Sequence, residues 1–139
     1  TDTMAQPYYM AMEFVDAPTL SAFIIKNGSK IKGKFVLPYM EAINLSTAIL
    51  GSLSVAHHHK IVHMDIKPDN IFINEMVSSD GKVLYHAKIA DLGACIFEDD
   101  ESAQDDMIMG TPGYMSPEQI LGEDVKRSTD VFAVAAMMY

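Results

Sequence analysis

The stretch His63-Met64-Asp65-Ile66-Lys67-Pro68-Asp69-Asn70, which runs directly into Ile71-Phe72-Ile73, limits the possible folds of this chain more than any other. Carboxylates, a lysine and an amide lie within a few residues of one another and are followed at once by a β-prone apolar run. Such a pattern is a loop feeding a buried strand, with its polar groups gathered at the strand mouth. An aspartate there can accept a hydroxyl proton, a lysine can neutralise an anion, and an asparagine oxygen can ligate a hard cation.

Two further blocks follow. Asp91-Leu92-Gly93 comes after the strand-like His86-Ala87-Lys88-Ile89-Ala90, and Gly110-Thr111-Pro112-Gly113-Tyr114-Met115-Ser116-Pro117-Glu118 lies beyond it. In this order the three blocks resemble the H-R-D-L-x-x-x-N catalytic loop, the D-F-G turn and the A-P-E segment of the eukaryotic protein kinase family. The form Asp65-x-Lys67-Pro68-x-Asn70 is similar to its Ser/Thr type. The resemblance runs from about Tyr8 to Tyr139.

What the resemblance implies is an α+β, protein-kinase-like fold: a mostly helical C-terminal lobe with a small β-hairpin, the N-terminal lobe largely absent. Residues 1–139 would be a partial kinase domain. It would hold the hinge strand, catalytic loop, metal-binding turn, activation segment and start of the central buried helix. The family's Gly-rich loop and strand lysine would precede residue 1, so the chain reads as part of a longer domain.

The implied activity is transfer of the ATP γ-phosphate to a Ser or Thr hydroxyl of a protein substrate, with Mg²⁺. Asp65 would be the catalytic base, Lys67 would neutralise the γ-phosphate, and Thr111 would brace both. Asn70 and Asp91 would hold Mg²⁺, with Gly93 permitting a sharp turn beside it. Met12 would guard the back of the adenine pocket, the Glu13 and Val15 backbones would bond the adenine edge, and Phe72 would lie under the ring. His63 and Leu92 would join an apolar stack, and Asp130 would accept backbone N–H bonds from the catalytic loop. Glu118, which the family pairs with an arginine, would be unpaired or solvated. Two alternatives stay open: a pseudokinase scaffold that transfers no phosphate, and a small-molecule phosphotransferase of related fold.

One departure bears on control. Met64 stands where the family carries an arginine that receives an activation-loop phosphate, and it offers neither charge nor donor. Ser102 is the only hydroxyl between Gly93 and Thr111. It sits among acids, where a phosphate would add repulsion, so its phosphorylation is not expected to switch an enzyme on.

The net charge of −9 is unevenly placed. No Lys or Arg occurs between Lys88 and Lys126, while Glu98 to Asp106 holds six acids in nine positions. This distribution argues against nucleic acid as a partner, which needs a basic footprint. It also suggests a basic partner for the acidic loop. No apolar run is long enough to span a membrane, and the single Cys95 permits no internal disulfide. An intracellular, cytoplasmic setting is the expectation. The run His57-His58-His59 cannot converge on one metal ion, because neighbouring helical side chains diverge.

Local patterns suggest the remaining elements. Tyr8 to Val15 reads as a buried strand. Thr19 caps a short helix through Ile25 that Asn27-Gly28 ends, and the lysines 26, 30, 32 and 34 mark a solvated loop. Pro38 opens a helix from Tyr39 to about His59, burying Met40, Ile43, Ala48, Ile49, Leu53 and Ala56. Asn70–Asn74 and Val83–Ala90 form a hairpin turned by Ser78-Ser79-Asp80-Gly81, with an exposed excursion from Glu75 to Lys82. A short helix begins at Pro117, and Ser128 or Thr129 caps a last buried helix.

Overall fold

The computed structural model describes residues 11–98 and 109–139. Helix α1 (Leu20–Asn27) leads into the hairpin β1 (Ser29–Ile31) and β2 (Lys34–Val36), then the long helix α2 (Tyr39–His58). Strand β3 (Ile61–Val62) precedes the polar stretch from His63 to Asn70, which empties into the hairpin β4 (Ile71–Val77) and β5 (Val83–Ile89). Strand β6 (Ile96–Phe97), α3 (Pro117–Leu121) and α4 (Arg127–Met138) complete the described elements.

Each boundary has a local cause. The Thr19 hydroxyl accepts from the Ala22 amide at the head of α1, satisfying a donor the helix cannot. At the head of α3 the Ser116 hydroxyl accepts from Gln119 N, and the Gln119 amide oxygen accepts from Ser116 N, so two orphan donors are met reciprocally. Gly122, at φ 66°, ends that helix in the left-handed region a glycine enters freely.

The main core lies where α2 crosses the β4–β5 hairpin and meets α1 and α4. Leu20, Phe23, Leu45, Ile49, Leu53, Ile66, Ile71, Ile73, Ala87, Ala133 and Val134 are all buried there. Leu45, Ile49 and Leu53 recur every four residues, so they form one stripe on α2. Phe23 meets Tyr85 edge to face, with ring centroids 5.8 Å apart. The Ser52 hydroxyl donates to the Ala87 carbonyl at 2.6 Å, tying α2 to β5. A smaller cluster of Val62, Met64, Ile96 and Val125, joined by Ala94 and Met109, packs around the start of the polar stretch after β3.

Several expectations need correction. Of the expected strand from Tyr8 to Val15, Tyr8 to Met10 lie outside the described residues, and 11–15 are not a strand, with Met12 and Phe14 exposed. A strand needs a partner for its N–H and C=O groups, and no described strand pairs with this one. The lysine-rich stretch is a hairpin rather than a loop, because Lys32 (φ 49°) and Gly33 (φ 84°) form the left-handed two-residue turn that joins twisted strands. On α2, Met40 is exposed and Leu45 takes its place in the core. The β4–β5 ladder continues to the Val77–Val83 pair, so part of the predicted excursion is sheet. Helix α4 starts at Arg127, ahead of Ser128, and the Thr129 hydroxyl accepts from Lys126 N from within its first turn.

Candidate active site

The chain between β3 and β4 is held in an unusual shape by groups distant in sequence. Met64 adopts φ 71°, a left-handed conformation costly for a side chain of that size. Its N–H and that of His63 both donate to the Asp130 carboxylate, at 3.0 and 2.9 Å. His57 Nε2 lies 2.8 Å from the same carboxylate, which is almost wholly buried. His63 is buried beside this anchor. Its Nε2 bonds the Ala90 carbonyl at 3.0 Å, and its Nδ1 accepts from Asp65 N at 3.3 Å. One neutral tautomer meets both bonds.

With the backbone so held, four side chains meet. The Thr111 hydroxyl donates to Asp65 Oδ1 at 2.6 Å and accepts from Lys67 Nζ at 2.9 Å. Lys67 Nζ also donates to Asp65 Oδ2 at 2.7 Å. Asn70 Nδ2 donates to the Asp65 carbonyl at 3.0 Å and sits 3.3 Å from Oδ2. Asp65, Lys67, Asn70 and Thr111 therefore form one network, as three of them sit on one short loop and the fourth arrives from the segment before α3.

Burial by itself would raise the Asp65 carboxyl, but the Lys67 and Thr111 hydrogen bonds together hold it below the ordinary 3.8. The bond to Asp65 raises the Lys67 ammonium against its own burial, and the fields of Asp91 and Asp69 add to this. Asp65 is thus an oriented carboxylate and a weak base. With its folded pKa below the unfolded value, its stabilising contribution is present above about pH 4 and is lost as pH falls through the lowered folded pKa. Thr111→Val removes one lowering bond and one brace. In the complete protein it is expected to reduce kcat roughly tenfold, about 1.4 kcal/mol of barrier. The acid limb of the pH–rate profile should move upward. An unchanged acid limb in that profile would count against this network.

Asp91 itself takes the left-handed conformation, φ 66°, and is exposed. Gly93 does not have a positive φ, so the expected role for its freedom is corrected: a Cβ there would lie 3.3 Å from Asp91 Oδ1, and its absence leaves that carboxylate room. Asn70 turns its Nδ2 toward Asp65, which directs Oδ1 elsewhere. The Asp91 carboxylate and the Asn70 side-chain oxygen are hard donors of the kind Mg²⁺ takes, with its remaining ligands from water and phosphate. Among the described residues no three His, Cys, Asp or Glu side chains gather as a metal cage.

The nucleotide-side residues are less tightly drawn together. Phe72 is half-buried, pairs with Lys88 across the hairpin and bridges to Thr19. Ile73 N donates to the Pro18 carbonyl at 2.9 Å, and Lys88 pairs with the Glu13 carboxylate. These contacts lay the segment from Glu13 to Thr19 along β4, near Phe72. Val15 is half-buried there, while Met12 stands exposed. Leu92 is also exposed and belongs to neither apolar cluster among the described residues, so that expectation is corrected. Glu118 is not left without a partner: Thr129 donates to it at 2.8 Å.

Met64 buries its side chain in the smaller apolar cluster that also holds Ile96 and against which Met109 packs. Glu98, the one acid of that loop among the described residues, is paired with Arg127 Nε and Nη2 at 2.8 and 2.6 Å. Ser102 and the other loop acids lie outside the described residues. Sequence reasoning missed this pair, whose members are 29 residues apart, and it missed Gln119. Only the Ser116-x-x-Gln119 capping pattern could have drawn attention to the latter.

The network of Asp65, Lys67, Asn70 and Thr111, the left-handed Asp91 and the capped helix after Thr111 lie on the three blocks that carry the family resemblance, and comparison with known proteins agrees on the family. The protein kinase domain model matches residues 3–139, and the chain belongs to that family. It is 34% identical over 132 residues to the probable serine/threonine-protein kinase PknB of Lactococcus lactis, covering 94% of this chain and 19% of that protein. It is 32% identical to the serine/threonine-protein kinase PrkC of Bacillus subtilis, covering 95% and 18%. With PknL of Mycobacterium tuberculosis it shares 30% identity, covering 94% and 29%. The chain thus spans under a third of the length of these relatives. No described helix is long and apolar enough to cross a membrane.

Proposed function

We propose that this chain is the hinge-to-central-helix portion of a Ser/Thr protein kinase that uses ATP and Mg²⁺ to phosphorylate a protein hydroxyl. The observation that carries the reading is the convergence of Asp65, Lys67, Asn70 and Thr111 within hydrogen-bond distance. Bound ATP supplies the γ-phosphoryl group and Mg²⁺ the charge neutralisation. The chain's own residues do the positioning. Asp65 Oδ atoms, fixed by Thr111 and Lys67, orient an acceptor hydroxyl and take its proton as its oxygen bonds the γ-phosphorus and the bond from that phosphorus to the departing ADP breaks. Lys67, poised on Asp65, offsets negative charge beside that oxygen. Asn70 and Asp91 supply the oxygens suited to the cation. A weakly basic carboxylate suffices, because phosphoryl transfer depends on alignment and charge more than on proton abstraction. Met12, Glu13, Val15 and Phe72 form the adenine side of the cleft in this reading. The acceptor is Ser or Thr because Thr111 and Lys67 together match the Ser/Thr form of the loop.

The test uses the complete protein with ATP, Mg²⁺ and Ser- and Thr-containing peptides, with small-molecule acceptors as controls. Phosphopeptide is the expected product. Asp91→Asn should raise the Mg²⁺ concentration needed for half-maximal nucleotide binding by about tenfold or more. Magnesium-independent nucleotide binding, or transfer to small molecules alone, would overturn the reading.

A further inference from the structure

Gln119 sits at the third position of α3 and is 4% exposed. Its position in the capping box accounts for its side-chain oxygen only. The Nε2 group points the other way and donates twice, to the Met64 carbonyl at 2.8 Å and to the Met109 carbonyl at 2.9 Å. Its oxygen accepts from Ser116 N at 3.0 Å. One buried amide therefore joins three backbone segments: the residue before Asp65, the end of the acidic loop, and the start of α3. Met64 is the strained residue of the catalytic loop, and Asp130 already holds it from its N–H side. Gln119 holds it from the carbonyl side. The fit is close: a Cβ on Gly110 would fall 2.9 Å from Met115 Cγ, 3.0 Å from Gln119 Nε2 and 3.2 Å from the Met64 carbonyl oxygen.

Resting on the kinase reading above, we infer that Gln119 is a positioning residue for Asp65, an uncharged clamp that locks the catalytic loop to the acidic loop. Both N–H groups of the amide are needed, since each carbonyl is served by one. A carboxylate of the same shape cannot donate either bond and sets its charge against two carbonyl oxygens. An apolar side chain leaves both carbonyls and Ser116 N without this partner, at the cost of a buried unmet polar group. The clamp acts between backbone groups and includes no phosphate. It thus gives this segment a fixed end next to Met64, the residue that lacks the charge to bind one.

The test compares Gln119→Leu and Gln119→Glu with the parent in the complete protein. Two readouts are taken on the same samples: peptide phosphorylation kinetics, and hydrogen–deuterium exchange over residues 63–66 and 109–111. Both variants should lose exchange protection in both segments at once, although those segments are distant in sequence. The kcat should fall at least tenfold, with KM for ATP changed less than threefold and more than half the thermal transition retained. That split separates positioning from a general loss of fold. Unchanged protection in Gln119→Leu would overturn the clamp whatever the activity. Lost protection with unchanged kcat would overturn its role in positioning Asp65. A parent protein that protects both segments yet transfers no phosphate would count against the kinase reading instead.

Discussion

Asp65→Asn in the complete protein is expected to lower kcat by about a hundredfold to ten-thousandfold while nucleotide affinity changes little. That is roughly 3–5 kcal/mol of barrier. The substitution keeps the size of the side chain but removes the charge that Lys67 Nζ meets at 2.7 Å. It also puts an amide NH₂ group into a network in which the Thr111 hydroxyl already donates to Oδ1 and Asn70 Nδ2 approaches Oδ2. One bond in that ring must reverse or break, and the group that would orient an acceptor hydroxyl can no longer take a proton. Nucleotide contacts lie on other residues in this reading, so a direct binding measurement should be almost flat. A variant with near-parent kcat would remove Asp65 from the mechanism.

The largest expected effect on stability is at Asp130. Its carboxylate is 1% exposed and receives His63 N, Met64 N and His57 Nε2. Asp130→Ala removes all three acceptor contacts and leaves two backbone donors without their partner in the interior. At about 1–3 kcal/mol for each unmet group, the loss should be roughly 3–5 kcal/mol. The left-handed Met64 would also lose the anchor on its N–H side, so the loop should relax toward an ordinary conformation. Chemical denaturation of the complete protein measures this directly. Asp130→Asn, which retains one acceptor oxygen, should cost less than Asp130→Ala. Equal midpoints for the parent and Asp130→Ala would show that the loop is held by something else.

Features set by neighbouring residues were legible without coordinates. Thr19 as a cap, the turn at Ser78–Gly81 and the start of α3 after Ser116 all follow from short-range chemistry that acts wherever the chain goes. The polar loop ahead of Ile71 stood out for the same reason, since three of its residues, Asp65, Lys67 and Asn70, reach one point through a single tight loop. Where the local pattern was ambiguous, it misled. The lysine stretch looked like a loop because its turn depends on left-handed Lys32, a conformation the residue type does not advertise. Residues 11–15 looked like a strand because aromatic and apolar side chains favour one, yet strand formation also needs a paired neighbour.

Only the tertiary structure decided the rest. Thr111 reaches Asp65 across 46 positions, and Gln119 reaches Met64 across 55. The family resemblance supplied the first of these in advance and was silent on the second. Glu98 finds Arg127 because β6 pairs with β3 and brings Glu98, just after β6, to the start of α4. Met64 shows the division most clearly. Its identity alone established that no cation stands before Asp65. That it instead fills an apolar cluster and takes a strained backbone, held by Asp130 on one side and Gln119 on the other, depends on groups that meet only when the chain is folded.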